Sequence, residues 1–269
     1  MGFKMELSKR LQGVADLLSE GLRIADIGCD HGFLSIYLVQ TGKAPGCIAM
    51  DVNRGPLARA QENIDRQGLS TYIETRLSDG ARALGFTEAG DGRKKPEAEA
   101  AVLAGMGGKL MIRIMEDSPE QFQGMQEFVL QPQSEISLVR RFIRRKGWRI
   151  TAEDMVLEEG KFYPMMRVET KAADGRGGLA TAEGKEDCKR EERACLGSSQ
   201  ELFDTFGEFL LKDRHPVLKQ FLKKEERQQE EILSGLSAQT SLRSKERSKE
   251  IEKRLEKIRQ GLEWFRDEV

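Results

Sequence analysis

The segment 26–32 has the sequence Asp26-Ile27-Gly28-Cys29-Asp30-His31-Gly32. An apolar run at 22–27 predicts a β-strand before the glycines, and apolar residues at helical spacing from Phe33 onward predict a helix after them. A strand, a glycine turn and a helix in this order point free backbone N–H groups and a helix N-terminus towards a ligand. The same pattern also occurs in turns with a purely structural role.

Acidic residues follow the next two predicted strands. Asp51 ends the strand at 47–50, about 20 positions after the glycine turn, where a carboxylate can accept hydrogen bonds from ribose hydroxyls. Asp79 and Gly80 follow an extended stretch at 72–77, and Asp79 is placed to recognise an adenine amino group. Acids thus follow three successive predicted strands, and the turn after the first strand is not all glycine. This arrangement suits a nucleoside without phosphate. The pattern therefore favours S-adenosylmethionine over NAD.

Composition bounds the class of protein. The chain has 269 residues, enough for one large domain plus an appendage, and its formal net charge is −1. Any nucleic-acid binding must therefore use local patches. The four cysteines form no CxxC pair, which argues against structural zinc and against a secreted disulfide framework, so we expect no metal. Without an apolar run of about 20 residues or a signal-peptide core, we expect a soluble, cytoplasmic protein that makes no membrane contact.

A second glycine cluster follows the predicted strand at 100–103. Its sequence is Ala104-Gly105-Met106-Gly107-Gly108, and a helical pattern comes directly after it. Glycines in such number at a strand end are costly unless something packs against the backbone. We expect this loop to face the same crevice as the 26–32 turn, since ligands bind at the carboxyl ends of the strands in open α/β sheets. A structural turn is the alternative. The intervening residues predict a short helix at 79–84 and an exposed loop at 88–99.

Two groups of cations in this part of the chain are candidates for contact with a ligand or with RNA. An amphipathic helix at 5–19 would begin near the ligand edge, so Lys9 and Arg10 could line the mouth of the crevice or lie on the solvated surface. A basic cluster runs from Arg140 to Arg149, after a strand at 128–130 that leads into Gln131. These cations could contact RNA, or they could complement the helix dipole. An antiparallel hairpin at 148–157 and 162–170 is predicted to close the sheet.

The composition divides the chain into three parts. Residues 1–170 form the predicted cofactor-binding domain, and 171–200, with many charges and almost no large apolar side chain, read as a flexible linker. Residues 201–269 carry two long helical patterns, the second with a heptad seam, around a turn region at 235–244. We predict an antiparallel helical hairpin of coiled-coil type. It could bind RNA, mediate dimerisation or simply be a solvated coiled coil.

The combined motifs resemble the bacterial tRNA adenine-22 N1-methyltransferases of the TrmK type. The resemblance rests on the segments 7–11, 25–31, 104–108 and 130–132 and on the helical hairpin, and it covers nearly the whole chain except 171–200. It implies an α/β, Rossmann-like class I methyltransferase fold, S-adenosylmethionine as methyl donor, and a tRNA substrate methylated at an adenine N1 in the D-arm region. The sequence leaves the oligomeric state open, and we expect a monomer.

The chemistry of the reaction suggests roles for individual residues. Adenine N1 is unprotonated at neutral pH and needs no strong base, so the enzyme must align it and stabilise the cation that forms. Asp30 is the predicted catalytic residue, because its carboxylate can bind the adenine amino group and offset that charge. His31 could act beside it or serve only as a capping or packing residue. Phe33 and Tyr163 are candidate stacking partners for an unstacked base.

The complete prediction therefore has two sets of residues. The predicted cofactor-binding residues are Asp26, Gly28, Asp30, His31, Gly32, Asp51, Asp79, Gly80, Gly105, Met106 and Gly107. The predicted substrate-binding residues are Lys9, Arg10, Phe33, Gln131 and Tyr163. Two other classes stay open: a methyltransferase acting on another RNA, a protein or a small molecule, and a non-catalytic scaffold. Ribonuclease sensitivity of methyl transfer tests the first, and S-adenosylmethionine binding tests the second.

Overall fold

A computed structural model describes residues 5–88, 92, 94–170, 199–237 and 242–266. The chain divides into two compact units, Met1–Ala180 and Thr181–Val269. The predicted linker at 171–200 lies outside the described residues except for its last two, which are already helical. None of the helices in the described ranges is long and apolar enough to cross a membrane.

The first unit is built on a seven-stranded sheet. Its strands are β1 (Ile24–Ile27), β2 (Cys47–Asp51), β3 (Ile73–Leu77), β6 (Ala100–Met106), β7 (Glu127–Pro132), β8 (Arg149–Glu158) and β9 (Lys161–Glu169), and a separate pair is β4 (Phe86–Glu88) and β5 (Lys94–Pro96). The order across the large sheet is β3-β2-β1-β6-β7-β9-β8. The first five strands in that order pair in parallel, and β9 pairs antiparallel with both β7 and β8. The predicted Rossmann-like α/β fold and its closing hairpin are confirmed.

Helices cover both faces of this sheet. They are α1 (Lys9–Leu17), α2 (Phe33–Gln40), α3 (Arg54–Arg66), α4 (Gly108–Asp117), α5 (Pro119–Gly124) and α6 (Ile136–Arg145). All four residues of β1 are buried, as expected for a central parallel strand. Its side chains alternate between the two apolar clusters, since Ala25 and Ile27 belong to one and Ile24 to the other. The core therefore fixes β1 and the turn that follows it.

Two local predictions were wrong. Residues 79–84 form turns rather than a helix, because the Ser78 hydroxyl accepts a hydrogen bond from the Ala83 N–H and so holds the chain in a tight loop. The stretch 88–99, predicted as an exposed loop, contributes to the β4–β5 hairpin. Glu97 next to that hairpin pairs with Arg76 of β3, and Pro96 is buried. These tertiary contacts order a segment whose local sequence is that of a loop.

The basic cluster at 140–149 is partly neutralised. Arg140 is buried and forms an ion pair of 2.8 Å with Glu153 on β8. Arg149 lies 3.5 Å from Glu169 on β9. Arg140 therefore connects α6 to the closing hairpin, and Arg149 joins the two strands of that hairpin. Both contacts favour the structural interpretation for these two cations.

The second unit consists of helices joined by short turns in its described residues. Residues 199–206 (α7) are followed by α8 (Glu208–Lys212), α9 (Pro216–Ser237) and α10 (Leu242–Glu263). Glu225 of α9 pairs with Arg254 of α10, whereas Lys219, earlier in α9, lies 5.9 Å from the ring of Phe265, beyond the end of α10. The two helices are therefore antiparallel. Residues 238–241 of the predicted turn lie outside the described part of the chain, and the coiled-coil packing stays a prediction.

Candidate functional site

A cavity of about 320 Å³ lies at the carboxyl ends of β1, β2 and β6. This volume falls within the range of about 300–1,000 Å³ that is usual for small-molecule sites. Its lining consists of Arg10, Leu11, Asp26, Gly28, Cys29, Asp30, His31, Phe33, Leu34, Asp51, Ala104, Gly105 and Gln133. Eight of the predicted site residues therefore meet at one place, although they come from separate strands and helices.

The glycine turn after β1 brings the backbone close to its neighbours. Gly28 has a φ of 81°, and a Cβ at this position would lie 3.0 Å from the Cε of Met106. Gly32 has a φ of 72° and directly precedes α2 as its N-cap, and a Cβ on Gly32 would lie 3.2 Å from the Cβ of Ala60. Gly28 lines the cavity and Gly32 does not. The close packing of α2 against α3 accounts for Gly32.

Asp30 occupies the turn between these two glycines. Its φ is 49°, in the left-handed region that L residues avoid, and its side chain is 72% exposed and faces the cavity. One carboxylate oxygen lies 3.6 Å from Nε2 of His31. A charged, accessible carboxylate thus stands at a position whose backbone conformation favours glycine.

Two further carboxylates belong to the cavity. Asp26 is buried at the end of β1, and burial raises the pKa of its carboxyl group to about 6. Hydrogen bonds from Ser35 lower this pKa, but their effect is smaller than that of burial. The charge of Asp51 raises it further. Asp51 itself ends β2 and accepts a hydrogen bond of 2.8 Å from the Asn53 N–H. A cationic ligand group near Asp26 would favour its ionised form.

Arg10 supplies a cation to the cavity lining, beside Gly105. Its guanidinium donates a hydrogen bond of 3.0 Å to Oε1 of Gln131 and lies 5.8 Å from the centre of the Tyr163 ring. The same Gln131 oxygen accepts a bond of 3.1 Å from the Gly105 N–H. Gln131 is fully buried, so the structure places it behind Arg10 and Gly105 rather than on the cavity surface predicted for it. Tyr163 likewise contacts Arg10 and is absent from the lining.

An aromatic pair stands on the same wall as the glycine turn. The rings of His31 and Phe33 are stacked, with centroids 5.2 Å apart and planes inclined by 13°. Phe33 remains 39% exposed, and the backbone carbonyl of His31 accepts a bond of 3.0 Å from the Asn63 amide. The arrangement offers a flat apolar surface to a ligand.

Several predicted residues are not brought to the cavity. Asp79 faces two arginines, Arg82 at 3.2 Å and Arg113 at 3.8 Å, and so does not join the other two acids. The backbone N–H of Lys9 donates to Glu158 on the β8 strand. The others outside the lining are Gly32, Gly80, Met106 and Gly107. Gly80 packs on Ile114, Met106 packs on Gly28, and Gly107 directly precedes α4 as its N-cap.

Five lining residues were missed by the sequence analysis: Leu11, Cys29, Leu34, Ala104 and Gln133. The two leucines and Ala104 follow apolar patterns that also describe a core. Burial raises the pKa of the Cys29 thiol well above its usual range, which keeps it neutral. Gln133 could have been found, because it is a polar residue directly after a parallel strand.

The part of the chain that forms this site is similar to known methyltransferases. Residues 7–166 match the family described as "Methyltransferase domain". A tRNA (adenine(22)-N(1))-methyltransferase of Bacillus subtilis is 33% identical over 171 residues, which are 64% of this chain and 68% of that protein. The chain belongs to the TrmK type of class I methyltransferases. The resemblance noted in the sequence is thereby confirmed.

Solved TrmK-type structures extend the similarity to nearly the full chain. The crystal structure of the B. subtilis m1A22 tRNA methyltransferase TrmK has a TM-score of 0.73 and 28% identity, covering 96% of this chain and 99% of that one. A Streptococcus pneumoniae protein in complex with S-adenosyl-L-methionine has a TM-score of 0.72 and 28% identity, covering 96% and 100%. The C-terminal helices thus lie within the region of similarity.

Proposed function

We propose that this chain transfers a methyl group from S-adenosylmethionine to N1 of an adenine in tRNA, at position 22 as in the B. subtilis relative. The observation that carries the proposal is the meeting of Asp26, Asp51, Asp30 and Arg10 around one cavity at the carboxyl edge of a methyltransferase sheet. A tRNA substrate fits the cytoplasmic location expected from the sequence.

The cavity residues fit the chemical groups of this cofactor. Asp51 ends β2, where a carboxylate accepts hydrogen bonds from ribose hydroxyls. Asp26 and Arg10 both line the cavity and carry opposite charges, which suits the ammonium and carboxylate of a methionine moiety. The carboxylate of Asp30 in the turn would repel a pyrophosphate, so the site disfavours a dinucleotide.

The chemistry requires little from the protein beyond position and charge. S-adenosylmethionine supplies a sulfonium methyl group, which passes to the N1 lone pair while the sulfur regains the bonding electrons. The methylated base is cationic. We assign the stabilisation of that charge to Asp30, which is exposed on the cavity wall. No general base is needed because N1 carries no proton to remove. The stacked pair of His31 and Phe33 offers a surface for the unstacked base.

Binding of tRNA needs more surface than the cavity offers. Arg10 is the one cation in the lining, and its guanidinium is engaged by Gln131. We therefore assign part of the tRNA docking to the helices of the second unit, which carry both basic and acidic side chains. The assignment agrees with the sequence-based expectation that tRNA is the macromolecular partner.

Nucleoside analysis tests the proposal. The purified protein, S-adenosylmethionine and an unmodified tRNA transcript are incubated together. The nucleosides of the digested RNA are then separated by liquid chromatography, detected by mass spectrometry and compared with N1-methyladenosine and N6-methyladenosine standards. We expect N1-methyladenosine to form in proportion to enzyme turnover. Formation of the N6 isomer alone, or methylation of a small molecule or protein but not of tRNA, would contradict the proposal.

A further inference from the structure

Gln133 presents an exposed side-chain amide to the cavity. It lies just beyond the end of β7, and the Nε2 atom is 3.9 Å from where a Cβ on Gly105 would be. Within the described residues, no hydrogen bond is found for this amide. Gln131, two positions earlier, is by contrast buried and bonded to Arg10 and Gly105. The two glutamines therefore differ in what they can offer a ligand.

The backbone under Gln133 is held on both sides. Its own N–H donates a bond of 3.0 Å to the Met106 carbonyl, and the next carbonyl, of Ser134, accepts a bond of 3.1 Å from the Gly108 N–H. A Cβ on Gly108 would lie only 2.6 Å from that carbonyl. The glycine cluster thus lets the loop after β7 pack directly on the loop after β6. This packing fixes the position from which the Gln133 amide projects.

The cavity has two sides with different chemistry. Asp26, Gly28 and Asp51 come from the ends of β1 and β2, whereas Gly105 and Gln133 come from the ends of β6 and β7. The proposed cofactor groups belong to the carboxylates on the first side. His31, Phe33 and Asp30, assigned above to the target base, also lie on the first side, so Gln133 on the second side would contact that base from across the cavity.

The reaction at N1 restricts how the base can be recognised. The N1 lone pair lies in the plane of the ring and must face the methyl group, so that edge is not available to a protein side chain. The edge formed by N6 and N7 remains. A primary amide matches it, because the carbonyl oxygen accepts from the N6 amino group while the NH₂ group donates to N7.

We infer that Gln133 reads the N6–N7 edge of the target adenine. The inference rests on the proposed function and names the specificity-determining residue of the same site. Guanine presents acceptors at both O6 and N7, so the amide oxygen would face O6 without a proton between them. Gln133 therefore selects adenine while leaving N1 free to react.

A chemical double-mutant cycle tests this role. The substrates are two tRNA transcripts, one with adenine and one with 7-deazaadenine at the methylated position, and kcat/KM is measured for the wild-type protein and for Gln133→Leu. For each protein, kcat/KM for the adenine transcript is divided by kcat/KM for the 7-deazaadenine transcript. This ratio should be about tenfold larger for the wild type, because only its amide can donate to N7. The higher basicity of N1 in 7-deazaadenine affects both proteins equally and cancels.

A matched control uses the other end of the same strand. Gln126 is exposed and directly precedes β7, so Gln126→Leu should give the wild-type ratio. If Gln133→Leu fails to fold, Gln133→Glu replaces it, since the carboxylate keeps the acceptor for N6 but loses the donor for N7. Equal ratios in the wild type and the Gln133 variant would overturn the inference. Failure of the wild type to methylate the adenine transcript would instead overturn the proposed function.

Discussion

The Ser35 hydroxyl donates a hydrogen bond of 2.7 Å to Oδ2 of Asp26, inside the domain and next to the cavity. Burial nevertheless raises the pKa of Asp26 from 3.8 to about 6. Because the folded protein then binds this proton more tightly than the unfolded chain, stability falls as pH rises from about 4 to about 6. An ionised, buried carboxylate is thus retained at a cost in stability, which is typical of functional sites.

Replacing Asp26 by Asn should stabilise the ligand-free protein above pH 6. The amide keeps an acceptor for Ser35 but removes the buried charge, so the gain in unfolding free energy should be on the order of 2–3 kcal/mol at pH 8 and vanish near pH 4. Urea denaturation at both pH values measures it. The same variant should bind S-adenosylmethionine more weakly. A stability difference that does not change with pH would show that Asp26 is not the titrating group.

Asp51 should carry much of the cofactor affinity. Asp51→Ala removes the carboxylate at the end of β2, and we expect S-adenosylmethionine binding to weaken by about 1.5–3 kcal/mol, the magnitude of a hydrogen bond to a charged group. Isothermal titration calorimetry measures the affinity. Asp65→Ala, which removes an exposed carboxylate within α3 that is not part of the cavity lining, serves as the control. Wild-type affinity in Asp51→Ala would exclude Asp51 from the site.

Substitutions of Asp30 should lower the catalytic rate without lowering stability. Asp30→Gly should leave stability unchanged or raise it by up to about 1 kcal/mol, since relief of the left-handed backbone offsets the greater freedom of the unfolded chain. The single-turnover rate should fall on the order of 10²–10³-fold in both Asp30→Gly and Asp30→Asn. The dissociation constant of S-adenosylmethionine should change little. A normal rate would make Asp30 a turn residue only, and an equal loss of affinity would place it in the cofactor pocket instead.

Local sequence patterns predicted the parallel strands and the first glycine turn. Short runs rich in apolar residues indicate buried strands such as β1, and Gly28 and Gly32 mark a turn with positive φ. The β4–β5 hairpin could not be found in this way, because Arg76 holds both Glu97 and the Ala83 carbonyl, and these partners meet only in the folded domain. Periodicity has no information about such contacts.

The predicted site residues also fall into two groups: those located correctly from local sequence and those whose position depends on tertiary contacts. Residues that end β1 and β2 reach the cavity because strand ends of a parallel sheet meet at one edge. Asp79 obeys the same rule along the chain, yet Arg82 and Arg113 surround it. Which of Gln131 and Gln133 faces the cavity depends on Arg10. Arg10 lies 121 positions before Gln131 and donates a hydrogen bond to its amide oxygen. The sequence therefore predicts at which edge of the sheet the site lies, and side-chain packing decides which residues face the ligand.

Primer extension on a methylated transcript tests the central claim most directly. A methyl group on N1 blocks Watson–Crick pairing, so reverse transcriptase should stop one nucleotide before the modified adenine. We predict a single stop one nucleotide before position 22, dependent on both the protein and S-adenosylmethionine, and its loss when that adenine is replaced by guanine. Full-length extension under all conditions, or a stop that persists after the replacement, would contradict the account.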